Sequence, residues 1–288
     1  MAKKKILLLG ATGMAGHVAY YYLKETGKYD ITDVVFRNKL TTESIVLDAT
    51  DKFATEDLIR TVNPNIILNC IGILIKGSQQ HPDNAIYINA YLPHLLERLA
   101  SEIDAKLIHI STDCVFSGAK GNYTEDDFRD ADDVYGRSKA LGEVINEKDL
   151  TIRTSIVGPE LKKNGEGLFH WFMQQKGKIN GFTQAIWGGV TTLELAKAID
   201  VAISNNLNGL IQLSNGIGIS KFDLLNLFKE IWNKDDLTVI PYDGKKVDKS
   251  LKKSILFDFD VPSYNDMLLE LKNWMDENKH LYQTIYQY

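Results

Sequence analysis

Three glycines at three-residue spacing, Gly10, Gly13 and Gly16, lie directly between the apolar run Lys5–Leu9 and a helical stretch at His17–Glu25. Glycine permits a tight strand-to-helix turn, lets a diphosphate approach the N–H groups that open the helix, and lets helix and strand pack closely. The turn, with Gly10, Thr12, Gly13 and Met14, is therefore expected to bind a dinucleotide. Lys3, Lys4 and Lys5 ahead of the apolar run would also suit a secretory leader. The uninterrupted apolar stretch is too short for that, and the glycines break it.

The first half repeats this alternation. Runs at Ile6–Leu9, Ile31–Phe36, Ile45–Leu47, Ile66–Cys70, Lys106–Ser111 and Thr151–Thr154 read as strands. Helical stretches fall between them, near Met14–Thr26, Thr55–Val62, Asp83–Glu102 and Val134–Asn146. The order predicts an α/β fold, a doubly wound parallel sheet of the Rossmann type with right-handed crossovers. Ligands of such sheets sit at the carboxyl ends of the strands. Gly10, Arg37, Cys70, Ile71, Gly72, Ser111 and Thr112 all fall at that edge.

After Ile156–Pro159 the pattern loosens. A short helix is expected within 165–178, an irregular segment at 181–189, helices at Leu193–Ser204, Ser220–Trp232 and Ser263–Lys279, and a strand at Gly209–Leu213. The expected division is a dinucleotide-binding domain over 1–157 and a smaller C-terminal substrate-binding lobe over most of 158–288. A strand near 209–214 would return to the main sheet.

Chemistry is suggested by a second pair of segments. Ser111-Thr112 ends an apolar run, and Tyr135 and Lys139 stand four residues apart at the start of a predicted helix, on one face. A lysine ammonium beside a phenol favours the phenolate and would bring tyrosine, normally titrating near pH 10, into use as a general acid or base. A hydroxyl from the Ser111-Thr112 strand end could hold the substrate oxygen against it.

The balance of 33 basic against 38 acidic residues, with a net charge of −5 and dispersed lysines, speaks against nucleic acid or an anionic membrane as partner. No apolar stretch reaches bilayer length. Cys70 and Cys114, each expected to end a parallel strand, suit a reducing cytoplasm better than a disulfide framework.

Glycine turn, Ser-Thr strand end and Tyr-x-x-x-Lys, in this order, resemble the extended short-chain dehydrogenase/reductase superfamily. Within it the chain is most similar to the dTDP-4-dehydrorhamnose reductase family. The likeness rests on Ser111-Thr112-Asp113-Cys114-Val115-Phe116-Ser117-Gly118, on Tyr135-Gly136-Arg137-Ser138-Lys139-Ala140-Leu141-Gly142-Glu143, on Arg153-Thr154-Ser155 and, in part, on Ile88-Asn89-Ala90. It is strong over about residues 3 to 160 and weak beyond.

The resemblance implies Thr112, Tyr135 and Lys139 as the catalytic set. Tyr135 would protonate a substrate carbonyl as hydride arrives, Lys139 would hold the nicotinamide ribose and lower the Tyr135 pKa, and Thr112, or else Ser111, would bind the same oxygen. Asp48 in Leu47-Asp48-Ala49 matches an aspartate that contacts adenine, although a solvated loop carboxylate would look the same. Cofactor contacts are expected from Gly10, Thr12, Gly13, Met14, Arg37, Asp48, Ala49, Cys70, Ile71, Gly72, Ser111, Tyr135 and Lys139. Substrate contacts are expected from Thr112, Asp113, Arg153 and Trp187. Asn89 matches an asparagine that orders the active-site backbone.

An acidic residue at the end of the second strand would pair with a ribose 2′-hydroxyl and repel a 2′-phosphate. Here Phe36-Arg37-Asn38-Lys39 stands instead, and the planar fork of Arg37 suits a phosphate. This favours NADPH, with NADH as the alternative. Sugar-nucleotide 4,6-dehydratases carry glutamate after Thr-Asp, whereas this chain has Cys114, which argues for a reductase.

The family's G-x-P-T is replaced by Ile186-Trp187-Gly188-Gly189-Val190-Thr191-Thr192, and its C-terminal R-P-x-x-S by Lys249-Ser250-Leu251-Lys252-Lys253-Ser254. Trp187 would stack on substrate or belong to the core. The expectation is a cytoplasmic NADPH-dependent reductase of a nucleotide-linked 4-keto-6-deoxysugar in surface polysaccharide biosynthesis, with no metal and with homodimerisation left open. The rivals are an NAD-retaining sugar-nucleotide epimerase and a non-catalytic regulatory subunit, like the β subunit of methionine adenosyltransferase.

Overall fold

The computed structural model describes residues 3–286. Its centre is a parallel sheet of seven strands. They are β1 (Lys4–Leu9), β2 (Tyr29–Val35), β3 (Ile45–Val46), β4 (Ile66–Asn69), β5 (Lys106–Thr112), β6 (Leu150–Thr154) and a last strand, Gly209–Gln212. The spatial order is Gly209–Gln212, β6, β5, β4, β1, β2, β3. The winding reverses between β1 and β4, which opens a crevice beyond their carboxyl ends.

Period-two alternation sorts β1 onto two cores. Ile6 and Leu8 join one cluster, Leu7 and Leu9 the other. Helix α1 (Met14–Glu25) packs on the first face, together with the helix Thr192–Ser204. Helix α2 (Lys52–Val62), capped by Asp51 and ended by Asn63 at φ +45°, supplies Ile59 to the second. Helix Thr192–Ser204, expected in the second lobe, thus packs in the layer of α1 on the main sheet, and Gly209–Gln212 pairs with β6.

The expected helix at 83–102 is composite. Helices α3 (Ile75–Gln80) and α4 (Pro82–Ala85) lead into a π-helical turn, Ile86–Tyr91, which continues as α5 (Leu92–Glu102). Pro93 lacks the N–H that would reach the Asn89 carbonyl, so the backbone widens there. Helix α6 (Val134–Leu141) is shorter than predicted. A Cβ on Gly142 would fall 1.9 Å from the Asn89 carbonyl oxygen, so the chain turns away at the point of closest contact.

The segment expected to be irregular at 181–189 is strand-rich. Gly177–Phe182 pairs with Leu237–Tyr242, a strand the sequence reading missed, and Ala185–Trp187 is the middle strand of a small three-stranded sheet. Helices Lys221–Ile231 and Tyr264–Glu277 complete the second half, each with a serine N-cap. Among the described residues, no helix is long and apolar enough to cross a membrane.

Candidate active site

Each glycine of the first turn meets a different constraint. Gly10 has φ +82°, and a Cβ on it would touch Ile71 Cγ1 at 3.0 Å. A Cβ on Gly16 would lie 2.2 Å from the Gly10 carbonyl oxygen, so α1 can seat against β1 only with glycine there. Gly13 caps α1 and is exposed, with no side-chain hydrogen bond capping the helix N-terminus. The result is an open, electropositive cradle bordered by Cys70, Ile71 and Gly72 after β4. The Gly165–Gly167 loop approaches it, with Gly167 close to the Met14 sulfur.

Arg37, exposed after β2, lies with its guanidinium carbon 4.6 Å from the Phe36 ring centroid. Asp48 Oδ1 accepts from the Thr50 backbone N–H at 2.9 Å and the Thr50 hydroxyl at 2.7 Å, next to buried Ala49. Its side chain is thus engaged in its own turn.

At the next strand end, Thr112 caps the turn Asp113–Val115, and its hydroxyl oxygen accepts from the Cys114 N–H at 3.1 Å. Helix α6 begins under the Asp133 cap and crosses this turn so tightly that a Cβ on Gly136 would lie 2.3 Å from the Cys114 carbonyl oxygen. That contact brings the Tyr135 phenol into hydrogen-bonding range of the Thr112 side chain. Asn89, buried in the π-helical turn, accepts from the Ile73 N–H at 2.9 Å and donates to the Ile73 carbonyl at 3.0 Å and to Ser138 Oγ at 3.2 Å. It ties the loop after β4 to α6.

Lys139 is buried. Its Nζ donates to the Ile110 carbonyl at 2.7 Å and lies 3.3 Å from His109 Nε2. Burial lowers its titration to about 8, against the pull of Glu143 and Cys70. Tyr135 departs from expectation. Burial pushes its phenol above the usual range, Cys114, Asp113 and Asp133 push the same way, and only the Thr112 hydrogen bond opposes them. The ammonium that was to favour the phenolate is engaged with the Ile110 carbonyl. The resting residue is therefore a protonated phenol, the form a proton donor needs.

Three further residues of the expected site are held by other side chains. Ser111 Oγ donates to Glu143 Oε1 at 2.7 Å and so faces away from Tyr135's partner, Thr112. Arg153, expected to touch substrate, is fully buried and bidentate to Glu143, through Nε at 2.9 Å and Nη2 at 2.8 Å, with its Cζ 4.9 Å from the Phe116 ring centroid. Trp187, expected to stack on substrate, is 6% exposed, lies in the main core beside Tyr264, and donates from Nε1 to Ser155 Oγ at 2.8 Å. Asp113 is also buried, and burial raises its carboxyl against the pull of Lys249 and Lys221.

His109 and Asn69 were not anticipated. The Asn69 amide oxygen accepts from the Ile71 N–H at 3.1 Å, and its nitrogen faces His109 Nδ1 at 3.1 Å. Both sit on central strands beneath Lys139. The only sequence signal is two polar residues inside otherwise apolar runs.

The arrangement joins an anion cradle, a phenol against a hydroxyl, and a buried lysine at one sheet edge. Known proteins resemble the chain as a whole. The dTDP-4-dehydrorhamnose reductase of Aggregatibacter actinomycetemcomitans is 29% identical over 166 residues, 56% of this chain and 54% of that protein. Methionine adenosyltransferase 2 subunit beta of Mus musculus is 30% identical over 56% of this chain and 49% of its own length. The chain thus spans about half the length of these curated relatives. The spore coat polysaccharide biosynthesis protein SpsK of Bacillus subtilis is 28% identical over 73% of each chain. Among solved structures, the dTDP-4-dehydrorhamnose reductase of Bacillus anthracis in complex with NADP superposes with a TM-score of 0.81 at 22% identity, over 96% of this chain and 100% of that one. The RmlD substrate binding domain model matches residues 4–285, nearly the whole chain, and the protein belongs to that family.

Proposed function

We propose that the protein is an NADPH-dependent reductase of a nucleotide-linked 4-keto-6-deoxysugar, serving polysaccharide synthesis. The observation that carries this reading is the placement of Tyr135 and Lys139, one turn apart on α6, across the Thr112–Cys114 turn and on the same sheet edge as the glycine turn. The relatives named dTDP-4-dehydrorhamnose reductase, and the NADP bound to one of them, support it.

The cradle fits a dinucleotide because side chains are missing where a diphosphate would lie along α1. Gly10, Thr12, Gly13 and Met14 would hold NADPH there, with Arg37 toward the 2′-phosphate. When bound, the cofactor supplies hydride. Thr112 Oγ1 and Tyr135 Oη would bind the substrate carbonyl oxygen from the protein side. Tyr135 gives its proton to that oxygen, and Lys139, one helical turn away, would hold the nicotinamide ribose. Asn89 and Gly142 hold α6 in register, so the two oxygens meet the carbonyl together.

A panel of nucleotide-linked 4-ketosugars assayed for NADPH consumption tests this. Tyr135→Phe should lower kcat by about 10²–10⁴-fold while leaving NADPH affinity nearly intact. The similarity to methionine adenosyltransferase 2 subunit beta favours a second reading, a cofactor-binding regulatory subunit. NADPH binding without turnover of any panel member would support that instead.

A further inference from the structure

Asn69 and His109 are register partners on the paired central strands β4 and β5. Both are fully buried, and neither has a part in the chemistry proposed above. Their hydrogen bonds fix where the protons sit. The Ile71 backbone N–H can only donate, and it reaches Asn69 Oδ1 at 3.1 Å, so the amide oxygen of Asn69 is held on that side. The Asn69 amide nitrogen can also only donate, and it faces His109 Nδ1 at 3.1 Å. Nδ1 must therefore accept. Burial, with the charges of Lys139 and His94, holds His109 well below its ordinary range, so the ring is neutral and carries a single proton. That proton is on Nε2, which lies 3.3 Å from Lys139 Nζ.

A donor on His109 asks for an acceptor on Lys139. A neutral amine offers a lone pair there and still donates to the Ile110 carbonyl at 2.7 Å. An ammonium offers none and sets two N–H groups against each other. Moving the ring proton to Nδ1 only brings it against the Asn69 amide N–H. Turning that amide releases the Ile71 N–H at the edge of the cradle. The chain Ile71–Asn69–His109–Lys139 thus holds one proton too many whenever Lys139 is charged. The other groups around Lys139 do not lift this. Glu143 draws the proton on, but it is shared among Arg153, Arg129 and Ser111. Burial pushes the Cys70 thiol up to about 12 and raises the Tyr135 phenol, so both are neutral.

We propose that Asn69 and His109 are positioning residues for the charge of Lys139: through a fixed His109 tautomer they favour its neutral amine, and they tie any release of that preference to Ile71 at the cofactor cradle. The place of Lys139 in the cofactor site rests on the reading above, whereas the proton positions are a property of the protein alone.

Nitrogen NMR of histidine-labelled protein without cofactor reads the tautomer directly, with the His109 ring signals assigned through their contacts to Lys139 and Asn69. A protonated Nε2 and a bare Nδ1 are expected between about pH 6 and 9. A proton on Nδ1, or a doubly protonated ring, would overturn the proposal even if no variant folds. The Lys139 titration is then followed by carbon NMR of its Cε in lysine-labelled protein. Asn69→Leu keeps the side-chain shape, adds no charge, and frees His109 to carry its proton on Nδ1. It should raise the Lys139 titration from about 8 to about 9 or higher, a tenfold stronger hold on the proton. His109→Gln, whose amide oxygen can accept from the ammonium, should act in the same direction. A merely structural role would leave the titration in place, and an unchanged value in whichever variants fold would overturn the proposal. The pH at which NADPH affinity falls should move up in step. A Lys139 titration that moves while NADPH affinity stays flat with pH would leave Asn69 and His109 standing and remove the Lys139 charge from cofactor binding.

Discussion

Replacing Arg153 with methionine separates a structural role from a substrate contact. Its side chain is 1% exposed and that of Glu143 is 0% exposed, and the two are joined by two hydrogen bonds of 2.8–2.9 Å. Removing one member of such a buried pair typically costs about 3–5 kcal/mol, because the other charge is left without compensation. Glu143 would keep Ser111 at 2.7 Å and Arg129 at 3.0 Å, but Arg129 is 38% exposed and screened. The lower end, about 3 kcal/mol, is therefore expected. At about 2–4 °C per kcal/mol, the melting midpoint should fall by roughly 6–12 °C. Glu143→Leu should cost more, since guanidinium cannot shed its proton, and the apolar double variant should cost less than the sum of the singles.

The loss should also depend on pH in a definite sense. Burial raises the Glu143 carboxyl, but Arg153, Ser111 and Arg129 together hold it below its ordinary 4.5. The pair's contribution is thus full above about pH 4.5 and is lost as pH falls through the depressed folded-state value. Thermal melts of the three variants, with KM for the sugar nucleotide measured on each, provide the assay. An Arg153→Met protein that melts within about 2 °C of wild type while its KM rises more than tenfold would refute the structural assignment.

Further outcomes follow from the same geometry. If Lys139 holds the nicotinamide ribose through its ammonium, burial, which brings its titration to about 8, should make KM for NADPH rise as pH climbs through about 8; a flat profile to pH 10 would remove Lys139 from that role. Arg37→Asp should raise KM for NADPH far more than for NADH, because it removes a phosphate partner and adds a repelling charge; equal effects would mean that Arg37 does not read the 2′-phosphate. Trp187→Ala should cost about 3–5 kcal/mol of stability, as for a core aromatic, with KM for the sugar nucleotide nearly unchanged in the folded fraction; a raised KM at an unchanged melting midpoint would return it to the substrate site.

The sheet was legible because burial writes itself into short apolar runs. Ile6–Leu9, Ile66–Leu68 and Leu107–Ile108 are closed in by helices on both faces and carry little else. The glycine turn was legible because backbone approach tolerates no other residue there. What escaped were features fixed by contacts between distant segments. Gly142 ends α6 only because the Asn89 carbonyl is there, and Arg153 is occupied only because Glu143 reaches it from α6's far end. The strand Leu237–Tyr242 is half-exposed and contains Pro241, so it shows neither an apolar run nor clean strand chemistry. His109 is a single polar interruption in β5, and only the fold brings Lys139 to it.

The central claim is net hydride transfer from the cofactor to a sugar carbonyl with Tyr135 as proton donor. Incubating the protein with NADPH carrying deuterium at the transferring carbon and with the best substrate of the ketosugar panel, then analysing the product by mass spectrometry and NMR, tests it most directly. Deuterium is expected at sugar C4, matched by stoichiometric loss of NADPH, and Tyr135→Phe should nearly abolish both. A rearranged sugar without net deuterium and with the cofactor recovered unchanged would contradict it.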